Sequence, residues 1–320
     1  MSFISFICPF LYAMILGSAW SIWFRKPFYS SLAPAFFLHI LAVMISGMLF
    51  KRLSVGIFGA IVLAIVILVC CMVRKNKSLS PVDLKAYGKE IWDNGGAVFA
   101  IFYVLCFILN ANKSFIHWDE FSHWGPFLKE SLRLDQLYCM SPMDFAHKDY
   151  VPAVTIFEAI WCRLGFRYTE PDAYRAIQVL MFSMFMPVFE KFHSYAYEQS
   201  GGNRSGNNGS MKKIIKYRLL QVGAVLLVLM VPLIFHTGLG FCFYHSICCD
   251  VVFGVMFYWC LYEAYRDHEV FSYQSIVMGT GISVFVLCKM TAMALFPVVV
   301  VLLFVNALFF SQHKPRAKEW

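Results

Sequence analysis

The sequence predicts an all-α integral membrane protein of about nine transmembrane helices, with further helices lying on the membrane surface inside one large external loop. Three observations predict it. The 320 residues are 60% hydrophobic, with a mean hydropathy of +0.64. Only 14% are charged, where a soluble domain carries about a quarter. Uncharged runs long enough to cross a bilayer, roughly 17–25 residues, recur along the chain.

Four such runs open the chain, at 1–24, 27–50, 53–73 and 95–112. The first is too long, and too poor in basic residues at its start, for a cleaved signal, so it is expected to span. The run 176–189 is short, but Arg175, Glu190 and Lys191 at its ends can snorkel to the interface. The run 219–249 is too long for one helix and is expected to turn at His236-Thr-Gly-Leu-Gly240, its second half continuing through Asp250 to Tyr262. Runs 270–288 and 290–312 complete the set. The chain then divides into a three-helix extension with a cytoplasmic loop (1–94), a transmembrane core (95–312) whose external loop covers 111–172, and a cytoplasmic tail (313–320).

Orientation follows from the basic residues. Alternate connections place 17 of the 27 Lys and Arg on one side, among them Arg25, Lys26, Arg74, Lys191, Lys212 and Arg266. That side is expected to be cytoplasmic, which puts the 111–172 loop and the N-terminus outside. The net charge of +8 therefore reads as topology and not as a nucleic-acid surface. The 11 cysteines form no CxxC pair and lie mostly within apolar runs, which argues against a disulfide framework or a zinc site. The Gly/Ser/Asn-rich stretch 199–210 reads as a flexible cytoplasmic linker.

The external loop gathers the chemistry. Trp118, Phe121, Trp124 and Phe127 recur at helical spacing, and Phe157, Ile160, Trp161 and Leu164 repeat the pattern, predicting two helices on the membrane surface. Asp119 and Glu120 sit just past the fourth apolar run, between Trp118 and Trp124. A helix there puts Asp119 and His123 on one face. A carboxylate in an aromatic, partly dry site can accept a proton from an attacking hydroxyl or amine; the plainer role is an acid offsetting a helix dipole. His117, His123 and His147 match no strong metal signature. In the segment His147-Lys148-Asp149-Tyr150-Val-Pro152, Lys148 can neutralise a phosphate and Asp149 can cap the following helix. Arg175 is either an interfacial anchor or a grip on a lipid phosphate. Asp250 and Lys289 interrupt apolar runs; such charges are usually functional, the alternative being loop residues at the water boundary.

Taken together these segments resemble the GT-C superfamily of polyprenyl-phosphate-sugar-dependent glycosyltransferases, which includes the protein O-mannosyltransferases and the aminoarabinose transferase. The resemblance covers roughly residues 95–312. It rests on Trp118-Asp119-Glu120-Phe-Ser-His123-Trp124-Gly125, His147-Lys-Asp-Tyr-Val-Pro152, Phe157-Glu-Ala-Ile-Trp161-Cys-Arg-Leu-Gly165, Glu170-Pro-Asp-Ala-Tyr-Arg175, Phe243-Tyr-His245 through Asp250, and Leu287-Cys-Lys289-Met-Thr291. It implies an inverting sugar transfer on the extracytoplasmic side. The donor would be a polyprenyl-phosphate sugar and the acceptor a lipid, polymer or protein. Asp119 would be the general base, assisted by Glu120, while Lys148, Arg175 and Lys289 would stabilise the departing phosphate. Trp118, Trp124 and Tyr150 would stack on sugar or lipid. His123, His147, Asp149 and Asp250 complete the expected binding site, with a divalent cation as an optional cofactor. The expected location is a bacterial plasma membrane. The alternatives are a transporter or flippase coupled through Asp250 and Lys289, and a truncated, non-catalytic member of the same group.

Overall fold

The computed structural model describes residues 3–76, 81–144, 146–199, 246–266 and 272–310, with isolated positions between 215 and 226. The expected turn at His236–Gly240, the Phe243-Tyr-His245 element and the 199–210 linker lie outside the described residues, apart from Gln199. Every regular element among the described residues is helical.

Helices α1 (Phe3–Phe24), α2 (Phe28–Phe50) and α3 (Leu53–Asn76) follow the first three apolar runs. α4 (Pro81–Ile91) passes through a widened π turn (Trp92–Gly96) into α5 (Ala97–Leu109). The kink falls at Gly95, whose φ of +128° suits glycine alone. A Cβ there would come within 2.9 Å of the Tyr29 amide nitrogen. Five stretches among the described residues are long and apolar enough to cross a bilayer: Phe3–Phe24, Phe28–Phe50, Leu53–Val73, Lys85–Leu109 and Ala292–Phe309. They fit an all-α protein embedded in a membrane.

The remaining helices are α6 (Gly125–Leu134), α7 (Ala153–Leu164), α8 (Glu170–Gln199), α9 (Cys249–Tyr265), α10 (Tyr273–Val286) and α11 (Ala292–Val305). α2 is the axis of the bundle, touching α1, α3, α7, α8 and α10. Its buried aromatic rings set the packing: Phe36 lies 4.9 Å from Phe157 of α7, and Phe37 lies 4.9 Å, edge-on, from Trp259 of α9. The first three helices are thus woven into the core that binds α7 and α9.

α7 differs from expectation. It was expected to lie on a membrane surface, yet every residue from Pro152 to Cys162 is buried. Trp161 reaches Tyr12 of α1 and Phe157 reaches Phe36 of α2, while α6 and α8 flank it. The apolar stripe that suggested a lipid contact is instead covered by protein on all sides. α6 keeps the one-sided character predicted, with Phe127, Leu128 and Ser131 buried and Lys129 and Arg133 exposed.

Polar pins cross the apolar interior. The Asn110 amide donates to Gln178 at 2.7 Å, joining α5 to α8, and the Tyr12 hydroxyl meets His39 Nδ1 at 2.9 Å, joining α1 to α2. Such bonds each contribute roughly 0.6–2 kcal/mol among packed helices in lipid.

The two ends of the bundle are distinct. At one end Asp135 accepts from the Ser54 amide (3.0 Å) and the Ser54 hydroxyl, its carbonyl accepts from the Leu53 amide (2.8 Å), and Arg163 donates to it (3.2 Å). Asp135 therefore caps α3 from a distant segment and ties it to α7. Gly165 packs against Ser5, so the start of α1 lies at this same end. At the opposite end Tyr273 donates to the Ser30 carbonyl (3.2 Å) and Asn306 to the Arg266 carbonyl (2.5 Å).

Replacing Asp135 with Ala removes an N-terminal cap and an ion pair together. The expected loss is about 1–3 kcal/mol, read as a lower unfolding midpoint in detergent. The substitution should also raise hydrogen exchange in the first turn of α3.

Candidate functional site

The site grows from a short wide turn. Residues Glu120–Trp124 form a π turn, closed by the Gly125 amide on the Glu120 carbonyl. Gly125 is required for close approach: a Cβ there would stand 2.5 Å from the Phe115 ring and 2.6 Å from that carbonyl. At the start of this turn the two adjacent acids have different surroundings. Asp119 is exposed and makes no hydrogen bond or ion pair with the described residues; Glu120 is fully buried.

Glu120 is saturated with donors. Its Oε2 accepts from the Ile116 amide (2.8 Å) and the His117 amide (3.0 Å), as a capping-box glutamate reaches back to its own helix start. The Tyr174 hydroxyl of α8 lies 2.9 and 3.0 Å from its two oxygens. Oε1 also accepts from the Ile247 amide at 3.0 Å. One carboxylate thus fastens the end of the 110–117 segment, the start of α8 and the entry to α9.

Beside this joint lies a cleft of about 150 Å³, lined by Trp124, Tyr150, Cys249, Cys288, Lys289 and Met290 among others. It is smaller than the ~300–1,000 Å³ of a pocket that swallows a drug-sized ligand, and fits one ring or one phosphate-sized group. The turn between α10 and α11 forms one wall, held by the Ala153 amide donating to the Leu287 carbonyl at 3.0 Å. At the rim, Lys289 pairs with Asp250 in the first turn of α9. Burial works against the Lys289 charge, and its hydrogen bond to the Asp250 carboxylate and that group's charge more than offset it, so its pKa is raised.

A group of rings closes the other wall. His123 lies 4.9 Å from Trp124, 5.1 Å from His147 and 5.8 Å from Tyr150, and His147 stacks on Tyr150 at 4.7 Å. His147 reaches this position from a left-handed backbone conformation, φ 61°. Ser122 meets His123 Nδ1 at 2.7 Å. Burial lowers the His123 pKa; Asp119 and Asp250 oppose that, and His147 adds to it.

The predicted residues separate accordingly. Trp124, Tyr150 and Lys289 line the cleft, Asp250 is paired with Lys289, and His123 and His147 pack against Tyr150; Asp119, exposed four residues before His123, is not among the lining residues. Trp118 is 81% exposed and is not among the cleft residues. Lys148 donates to the Ser141 carbonyl, bracing the loop, and Asp149 is exposed beside it. Arg175 is buried and committed: it donates to Asp172 at 2.6 Å and to the Phe107 carbonyl at 3.0 Å, with its guanidinium 3.8 Å from the Phe107 ring centre. Its setting is a clamp between α8 and α5. Sequence reasoning overlooked Tyr174, Asp135 and Ile247. Tyr174 stood inside the Glu170–Arg175 segment without a role assigned to it, Asp135 carried no motif, and Ile247 takes part only through its backbone.

Among the described residues no group of three or more His, Cys, Asp and Glu side chains is arranged to hold a metal ion. Comparison with family models, curated proteins and solved structures gives no match to this chain. The fold and site define a helical protein with bilayer-length helices and a charged, ring-lined cleft at one end.

The two acids should part company on mutation. Asp119→Asn should change stability by no more than about 0.5 kcal/mol, as for an exposed residue without partners. Glu120→Ala strips a buried set of donors of their acceptor and should cost about 3–5 kcal/mol, measured by unfolding in detergent. His123 gives a pH signature. Its folded pKa lies below the ordinary 6.5, so its contribution to stability is complete above that value and is lost as pH falls through the folded value. His123→Gln should flatten that acid-side slope.

Proposed function

We propose that the protein is a membrane glycosyltransferase that moves a sugar from a polyprenyl-phosphate-linked donor to an acceptor hydroxyl or amine, with Asp119 as general base. One observation carries the reading: an exposed carboxylate, unpaired among the described residues, lies five residues before Trp124, a wall of a small ring-lined cleft whose rim holds a cation. That combination fits a reaction needing a base, a ring platform and a counter-charge within one site. The order of the segments, which resembles the GT-C superfamily, supports it further.

In this mechanism the acceptor enters from the Asp119 side. Its proton passes to the Asp119 carboxylate as its oxygen or nitrogen bonds to the anomeric carbon. The bond from that carbon to the phosphate oxygen breaks, and the lipid phosphate leaves with the electron pair. Lys289 meets the departing charge at the rim, exchanging its bond to Asp250 for one to phosphate. Trp124 and Tyr150 offer faces for the sugar ring. Glu120 contributes by holding the turn that aims Asp119, and Arg175 by holding α8, which carries Tyr174. The excess of basic residues assigned to the opposite connections supports an extracytoplasmic site, in a bacterial plasma membrane by this reading.

Purified protein incubated with radiolabelled polyprenyl-phosphate sugars and membranes should transfer label. Asp119→Asn should cut transfer about 10²–10⁴-fold with the unfolding midpoint unchanged. Undiminished transfer by that variant would remove Asp119 from the role.

A further inference from the structure

Glu158 is the oddest side chain in the molecule. It sits midway along α7 with 0% exposure, and neither carboxyl oxygen has a hydrogen-bond partner among the described residues. Two neighbours share its condition. Thr155, one turn earlier on the same helix, has a buried hydroxyl without a partner, and so does Tyr168 in the link to α8. The basic groups of this region pair with other residues: Arg163 with Asp135 and the Leu132 carbonyl, and Arg175 with Asp172 and the Phe107 carbonyl, its Nε alone being without a partner among the described residues. The titratable groups that share an electrostatic interaction with Glu158 are Glu120 from the π turn, Tyr138 from the Tyr138–Met140 turn, Cys162 of α7 itself and Tyr168. Of these, Glu120 is the one acid, and its anion is satisfied by the amides and the phenol it binds. An ionised carboxylate with no counter-charge, in an apolar interior and beside a second carboxylate, is far costlier than a neutral acid.

We infer that Glu158 carries its proton in the folded protein, and that losing this proton is a switch which loosens the Glu120 joint and, through Ile247, the α9 side of the cleft. The burial and the adjacent Glu120 charge both push the Glu158 carboxyl well above the usual carboxylate range, in that order of size. The physical sequence is short. Ionising Glu158 sets two buried like charges against each other. Glu120 has the more bonds to lose, and one of them fixes the Ile247 amide three residues before Asp250. The Asp250–Lys289 rim then loses its fixed seat. While Glu158 holds its proton, the joint stays closed.

The linkage has a definite sign. For an acid whose folded pKa is raised, stability is greatest below the unfolded value and falls as pH climbs toward the folded one. Across that window the unfolding constant should rise about tenfold per pH unit from this group alone. Glu158→Gln is the neutral stand-in and should abolish that share of the slope.

The deciding measurement is infrared spectroscopy on the purified full chain in detergent, which needs no assumption about sugar transfer. The wild-type spectrum at neutral pH should contain a carboxylic-acid carbonyl band that is missing in Glu158→Gln, and also missing in Glu158→Leu should the amide pack poorly. Hydrogen exchange of the peptide containing Ile247 should accelerate at alkaline pH beyond the ordinary base-catalysed rise in the wild type, and not in Glu158→Gln. Absence of the difference band in both variants, or identical exchange profiles in wild type and Glu158→Gln, would overturn the inference. Loss of transfer activity alone bears on the Asp119 reading and not on this one.

Discussion

A single buried carboxylate holds together the cleft end of this protein. Glu120 is fully enclosed, and it survives there as an acceptor because two amides of its own turn, the Tyr174 hydroxyl and the Ile247 amide all point at it. These donors come from three segments far apart in the chain. Hydrogen bonds to a buried charge are worth more than neutral ones, so the arrangement is both strong and unforgiving. Everything nearby inherits its position from it: the exposed Asp119 on one side, the entry to α9 on the other.

The other parts of the site are held by simpler means. The turn 287–291 is anchored by one backbone bond to the start of α7, and the rings of His123, Trp124, His147 and Tyr150 brace one another. The α3 cap at Asp135 locks the far side of the loop to the first three helices. The long loop is therefore not a mobile flap over the bundle. It is wedged in, with α7 as the wedge and α2 as the wall against which the wedge sits.

Much of this was legible in the order of residues. Runs of apolar residues located α1, α2, α3 and α5 to within a few positions, because a bilayer-length helix must be apolar nearly throughout. The cluster of acids, imidazoles and indoles after the fourth run also stood out, since polar groups beside hydrocarbon are rare. α7 is where the reading failed. Its stripe of Phe157, Ile160, Trp161 and Leu164 has the same period whether the helix lies on lipid or is packed in protein, and periodicity cannot tell one apolar neighbour from another. Arg175 carried a similar ambiguity: an arginine at the start of a helix serves a ligand or a neighbour, and Asp172 three residues earlier engages it.

The sequence by itself determined the class: helices apolar enough for a membrane, their alternation, and the one stretch rich in reactive side chains. Those follow from local composition, which each segment carries wherever it is placed. Only the tertiary structure decided which of two adjacent acids reaches solvent, which cation faces the cleft, and which glutamate is left without a partner. Those properties depend on what lies across the gap, and Tyr174, Ile247 and Lys289 are brought there by folding from positions up to 170 residues away along the chain.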